Sequence, residues 1–132
     1  MQEHLKKHGA FSWFELMTTD VEAAKKFYAS VFAWTYQEFP LDGMGQYSVI
    51  QVEGEGVGGI MLNPPQAAAV PPYWASYIAV RDIDATAATW LRHGGTVIVP
   101  PTDIPAVGRF AVLQDPQGAV ISAITYVPDP SA

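Results

Sequence analysis

The most constraining feature of this 132-residue sequence is a repeat. Residues 11–34, FSWFELMTTDVEAAKKFYASVFAW, recur in diluted form as residues 73–97, YWASYIAVRDIDATAATWLRHGGTV. When Asp20 is laid on Asp82, 62 positions later, Val21 falls on Ile83, Glu22 on Asp84 and Ala23 on Ala85, each just after an apolar run with strand character. A repeat of this length implies two copies of one supersecondary unit, so the fold of the first copy constrains the second.

In the first copy, Phe11, Trp13, Glu15 and Met17 fall on one side of an extended chain and Ser12, Phe14, Leu16 and Thr18 on the other. Thr19-x-x-Glu22 has capping-box spacing, with Asp20 as a rival N-cap, and Ala23, Ala24, Phe27, Tyr28, Val31 and Phe32 continue as a helical stripe. Phe14 and Leu16 are expected to pack under that helix. The face carrying Trp13, Glu15 and Met17 must then look elsewhere.

Strand and turn signals extend the pattern. Residues 35–39, 46–53 and 56–62 read as three further strands, with a turn at 41–45, LDGMG, which makes the first unit βαβββ. The second unit repeats that order: strand 74–80, helix 83–93 ended by Gly94-Gly95, strands 96–99, 109–114 and 119–126, a loop at 100–107 and the turn Asp115-Pro116-Gln117-Gly118. Residues 63–72, NPPQAAAVPP, hold four prolines and three alanines and read as a linker. The expectation is one α+β domain over 1–132, with module one at 10–62 and module two at 73–127. Each helix covers one face of its own four-stranded sheet. If the mixed sheets curve, their uncovered faces form a funnel-shaped pocket suited to a small molecule.

Composition narrows the function. Seven Lys+Arg against thirteen Asp+Glu give a formal charge of −6 with no basic run, so a nucleic-acid partner is not expected. The absence of cysteine removes disulfides, thiol nucleophiles and thiolate metal sites. No apolar run approaches the roughly 20 residues that span a bilayer, and residues 1–9, MQEHLKKHG, lack a signal peptide's apolar core. These readings point to a cytoplasmic protein without membrane attachment. His4 and His8 have the i, i+4 spacing of a helical metal pair, but a frayed polar tail accounts for them more simply.

Four motifs carry a family resemblance: T-x-D-x-x-x-A-x-x-F-Y followed by Phe32-Ala33-Trp34, V-x-D-I-D-A, the Gly94-Gly95 helix end, and the D-P-x-G hairpin before the last strand. Together they resemble the vicinal oxygen chelate superfamily, which holds glyoxalase I, extradiol dioxygenases, fosfomycin-resistance enzymes and bleomycin-binding proteins. The likeness spans about 11–126, and the run PPTDIPAVGRFAVLQDPQGA is most similar to a glyoxalase-like branch labelled hydroxylase or antigen-like. The resemblance implies the paired βαβββ fold and commonly a homodimer. In metal-dependent relatives four inward strand positions carry His or Glu. In this sequence they fall on Trp13, Met61, Ala75 and Ser122, so the resemblance implies no metal and no other cofactor here.

By alternation the inward set is Trp13, Glu15, Met17, Tyr47, Val49, Gln51, Gly59, Met61, Ala75, Tyr77, Arg109, Ala111, Leu113, Val120, Ser122 and Ile124. A pocket and a filled interior would both produce this apolar and aromatic stripe. As a pocket it suits a flat apolar or aromatic ligand, with Trp13, Glu15, Met17, Tyr47, Met61, Tyr77, Arg109 and Ser122 as the binding candidates. Glu15 is the candidate acid or base, because burial of a carboxylate on an aromatic wall raises its pKa; a structural ion pair is its plain alternative. Three classes remain open: a metal-free small-molecule binder, a superfamily enzyme of lyase, isomerase or dioxygenase type with either a metal site or Glu15 as acid or base, and a partner-binding module with a vestigial pocket.

Overall fold

The structure, a computed structural model, describes residues 3–41, 45–63, 70–104 and 107–127. The centre of the 41–45 turn and most of the 63–72 linker lie outside the described residues. Eight strands and two α-helices run in the order β1 Phe11–Thr18, α1 Val21–Phe32, β2 Thr35–Leu41, β3 Gly45–Val52, β4 Glu55–Leu62, β5 Tyr73–Ala79, α2 Ile83–Arg92, β6 Thr96–Ile104, β7 Gly108–Gln114 and β8 Val120–Tyr126. This is βαβββ twice, an α+β fold. The chain forms two compact units, Trp13–Ala75 and Met1–Ser12 with Ser76–Ala132, so the division falls inside β1 and β5.

In the Trp13–Ala75 unit the strand order is β2-β3-β4-β1, with β1 parallel to β4 and the other pairs antiparallel. Asp20 is the N-cap of α1; its carboxylate accepts the Ala23 N–H at 3.0 Å and satisfies one of the helix's orphan donors. The core beneath α1 is Leu16, Ile50 and Ile60, packed by Val21, Ala24 and Tyr28 from the helix and by Trp34 and Tyr36. Leu16 thus lies under the helix as expected, but Phe14 is 47% exposed. The broad apolar stripe also narrows: Phe27, Val31 and Phe32 face outward and no α1 residue is fully buried. Adjacent helical positions lie about 100° apart, so a run rich in apolar residues does not show which half faces the sheet.

In the other unit the order is β5-β8-β7-β6, with β5 parallel to β8. Asp82 caps α2 as Asp20 caps α1, accepting the Ala85 N–H at 3.1 Å. The core is Val80, Ile83, Ala111, Leu113 and Ala123, with Ile78, Trp90, Val97 and Ile121 packed against it. Strand β6 runs through Pro100 and Pro101 to Ile104, where a loop was expected. It pairs with β7 alone, and its register slips on either side of Val99, so the missing proline N–H groups leave no ladder partner unsatisfied. The described part of residues 1–9 is not a frayed tail. A 3-10 turn, Glu3–Lys6, leads to Gly9, whose N–H reaches the Ala79 carbonyl at 2.7 Å, and His8 Nδ1 accepts the Arg81 N–H at 3.0 Å. That bond commits one His8 nitrogen to the backbone.

α1 ends at Ala33, which sits in the left-handed region at φ 61° and sends its N–H to Ala29 O. This conformation costs an L-residue about 1–2 kcal/mol and a glycine almost nothing. Ala33→Gly should therefore raise stability by about 0.5–1 kcal/mol after glycine's larger unfolded-state entropy is counted, read as a higher midpoint in urea denaturation.

Candidate functional site

Strand pairing in the Trp13–Ala75 unit sets the site. Glu15 stands opposite Gly59, which stands opposite Val49, and Met17 stands opposite Met61, so these side chains share the sheet face turned away from Leu16. On β3, Tyr47 is on the same face as Val49 and is paired with Phe39 of β2.

Glu15 is only 7% exposed, and a carboxylate taken out of water must be hydrogen-bonded. The Trp13 indole N–H donates to the Tyr47 hydroxyl at 2.8 Å, and Tyr47 donates its proton to Glu15 Oε1 at 2.7 Å. The direction is forced: an indole nitrogen can only donate, so the phenol accepts from Trp13 and has its single proton left for Glu15. The chain Trp13 to Tyr47 to Glu15 therefore orients an acceptor carboxylate on an aromatic wall. Gly59 makes the arrangement possible, because a Cβ at that position would overlap the Tyr47 hydroxyl and ring.

The sequence reading missed two members of this group. Gly59 was counted as lining only, because the role of a glycine is the space it leaves. Tyr73 opens β5, one residue before the expected strand 74–80, and so lies outside the inward set. Burial first, and the Glu15 charge second, raise the Tyr73 phenol above the ordinary tyrosine range.

In the other unit, Tyr77 pairs with Ser122 and Ser122 with Val112, all on the face opposite the α2 core; both Tyr77 and Ser122 are buried. The Tyr77 carbonyl accepts from Ser12 Oγ at 3.3 Å, and Ser12 also bonds Tyr126 Oη at 2.8 Å. Arg109 stands on the other face, which corrects its expected inward position. It shares a row with Thr125, while Ala111 and Leu113 beside it pack into the α2 core. Its guanidinium forks onto both carboxylate oxygens of Asp84, at 3.0 and 3.1 Å, and reaches Asp103 at 3.2 Å. The bonds to Asp84 raise the Arg109 pKa and hold the Asp84 carboxyl below its usual range. Arg109 is thus a brace between β7, β6 and α2. The expected phase failed because residues 110–113, FAVL, are apolar on both parities.

The positions to which the family resemblance assigns metal ligands do not hold residue types that fit a divalent metal. Trp13, Met61, Ala75 and Ser122 offer one thioether and one hydroxyl, and among the described residues no three His, Cys, Asp or Glu side chains gather anywhere.

Fold and sequence agree on the class. Residues 10–122 match the glyoxalase/bleomycin resistance protein/dioxygenase superfamily, and the chain belongs to that family. A Mycobacterium tuberculosis protein named as a glyoxylase, CFP32, is 43% identical over 117 residues, covering 87% of this chain and 45% of that protein. The anthracycline biosynthesis protein DnrV of Streptomyces peucetius is 32% identical over 126 residues, covering 86% of this chain and 46% of DnrV. The chain therefore spans about half the length of these curated relatives. Among solved structures, methylmalonyl-CoA epimerase from Mycobacterium tuberculosis superposes with a TM-score of 0.67 at 16% identity, covering 95% of each chain, a likeness of fold.

The Tyr73 shift has a defined pH consequence. Its folded pKa lies above the unfolded value near 10, so the folded state holds the proton more tightly, and the associated stability is present below pH 10 and lost as pH rises through the folded pKa. Burial also raises the Tyr36 phenol, so phenolate absorbance should show a late-titrating component that Tyr73→Phe reduces without abolishing it, and Glu15→Gln should bring the Tyr73 part to lower pH by removing the charge.

Proposed function

We propose that this chain is a metal-free small-molecule-binding member of its superfamily, taking a flat apolar or aromatic molecule against the Glu15 face of the Trp13–Ala75 unit. The observation that carries this reading is the directed chain from Trp13 through Tyr47 to Glu15, among partly exposed Trp13, Met17 and Met61 side chains. Aromatic rings and thioethers supply the apolar contact, and a carboxylate with several lone pairs takes a donor on the ligand. The likeness to a protein named for anthracycline biosynthesis supports a planar aromatic ligand class. Tyr77 and Ser122, on the corresponding face of the other unit, belong to the same proposal, as do a single domain built from both modules, a cytoplasmic location and a homodimer.

One observation favours a catalytic second reading. A buried carboxylate held by a phenol can move a proton to or from a bound substrate, which suits lyase or isomerase chemistry with Glu15 as acid or base.

The test is thermal shift against a panel of planar phenols and quinones, with two variants. Glu15→Gln should stay folded and lose the ligand-induced shift, whereas Leu16→Ala should lose roughly 2–5 kcal/mol as a core truncation and keep ligand recognition. A filled interior would make Glu15→Gln unfold about as easily as Leu16→Ala. Elemental analysis of untagged protein purified without chelator should find well under one equivalent of Zn, Ni, Fe or Mn; stoichiometric metal lost on Glu15→Gln would overturn the metal-free reading.

A further inference from the structure

The unit formed by Met1–Ser12 and Ser76–Ala132 has a cleft of about 560 Å³ beside α2, and none of its lining residues belongs to the Glu15 face. Small-molecule sites occupy roughly 300–1,000 Å³. One wall is a single side of the helix, Ala85, Thr89 and the capping His93, spaced four residues apart. Trp90 offers its ring rather than its polar edge: the indole N–H is spent on the Gln114 carbonyl at 3.0 Å, and Gly95 leaves the room, since a Cβ there would overlap the indole. Pro116, in the turn between β7 and β8, lies beside the last turn of α2 at one end. His8 stands at the other. Its Nδ1 accepts the Arg81 N–H at 3.0 Å, so the neutral ring carries its proton on Nε2, on the side away from that bond.

The polar groups of the cleft divide by what they already hold. Asp82 Oδ1 takes the Ala85 N–H at 3.1 Å, and Asp115 Oδ1 takes the N–H groups of Gln117 and Ala119 at 2.9 Å, so one acid is a helix cap and the other a turn residue. The Arg81 guanidinium and the His93 ring have no hydrogen-bond or ion-pair partner among the described residues. What the cleft has left to give is donors. The charge distribution agrees: Trp13–Ala75 holds seven acids and two lysines, −5, whereas the unit with the cleft holds six acids and five bases, −1.

The internal repeat provides the control. At the 62-residue offset, Thr86, Thr89 and His93 of the cleft fall on Ala24, Phe27 and Val31 of α1. The same module thus carries an apolar flank in one copy and a polar one in the other, so the polar flank is not a requirement of the fold.

We infer that this cleft binds a small aromatic carboxylate, its carboxylate on Arg81 and the His8 Nε2–H and its ring against Trp90. A guanidinium forks onto two carboxylate oxygens, and the His8 bond to the Arg81 backbone sets a second donor next to it. Trp90, Ala85 and Pro116 supply apolar contact for the ring. The Asp82 and Asp115 charges select a monoanion, because their repulsion grows with the charge of the ligand.

The probes are naphthoate and its uncharged counterpart naphthylmethanol, titrated by nuclear magnetic resonance and read at the amides of Ala85, Thr89 and His93. Naphthoate should bind there about tenfold or more tightly than the alcohol, the difference made by one charge-assisted pair. Arg81→Gln keeps the backbone N–H that holds His8 and should remove that preference without disturbing the rest of the amide spectrum. Naphthyl phosphate should bind no better than naphthoate; tighter binding overturns the choice of a monoanion. Equal binding of acid and alcohol at these amides, no shift there, or a preference that survives Arg81→Gln overturns the site. If Arg81→Gln fails to fold, the acid and alcohol compared on the unaltered protein decide. Binding at the Glu15 face reports through other amides, Tyr47 and Gly59 among them, and is scored apart.

Discussion

A single helix covers one face of a four-stranded sheet, and most of the chemistry here follows from that shortfall. In the Trp13–Ala75 unit, α1 takes the Leu16, Ile50 and Ile60 side, so every second residue of β1, β3 and β4 is left on a face with no helix over it. A carboxylate on that face has to find its partners among strand side chains. Glu15 finds one in Tyr47, and Tyr47 in turn is fixed by Trp13. The polar chain and the apolar wall are two consequences of one uncovered sheet.

The repeat shows what the module requires and what it leaves free. Both copies keep a capping aspartate, a parallel pair between first and last strands, and an inward aromatic on the helix. They differ in how their helices are tied down. α2 is anchored at its first turn by the Asp84 fork from Arg109 and at its last by Trp90 Nε1, which donates to Gln114 O at 3.0 Å. α1 is held by ring packing around Tyr28, by the Tyr36 hydroxyl donating to the Lys25 carbonyl at 2.9 Å and by the Lys25–Glu38 ion pair to β2 at 3.0 Å. One backbone plan thus tolerates different mixtures of ion pairs and ring packing.

The fold was legible because strands and helices carry different periods. Alternation placed Trp13, Glu15 and Met17 opposite Leu16, and the 62-residue offset aligned Asp20 with Asp82, the residues that cap the two helices, although locally Thr19 competes with Asp20 for that role. It failed where the pattern lost contrast. In FAVL both parities are apolar, so periodicity cannot phase β7, and the arginine before it went to the wrong face. In KKFYASVF the apolar residues cover too wide an arc to reveal which half of α1 packs. Pro100 and Pro101 suggested a loop because the local signal cannot show that β6 pairs on one side only. The Trp13 to Tyr47 to Glu15 chain joins residues 34 and 32 positions apart in sequence, a distance that no local pattern spans.

Gly59 touches the chemistry by being empty. The Tyr47 hydroxyl occupies the volume that any other residue's Cβ would take, so the shape of the wall around Glu15 is set by a position that contributes no atom to it. Such a position acts as a dial on geometry. Among related chains, a larger residue there would swing the phenol outward and leave the carboxylate with a different neighbour, so two proteins with identical polar residues could present different recognition surfaces.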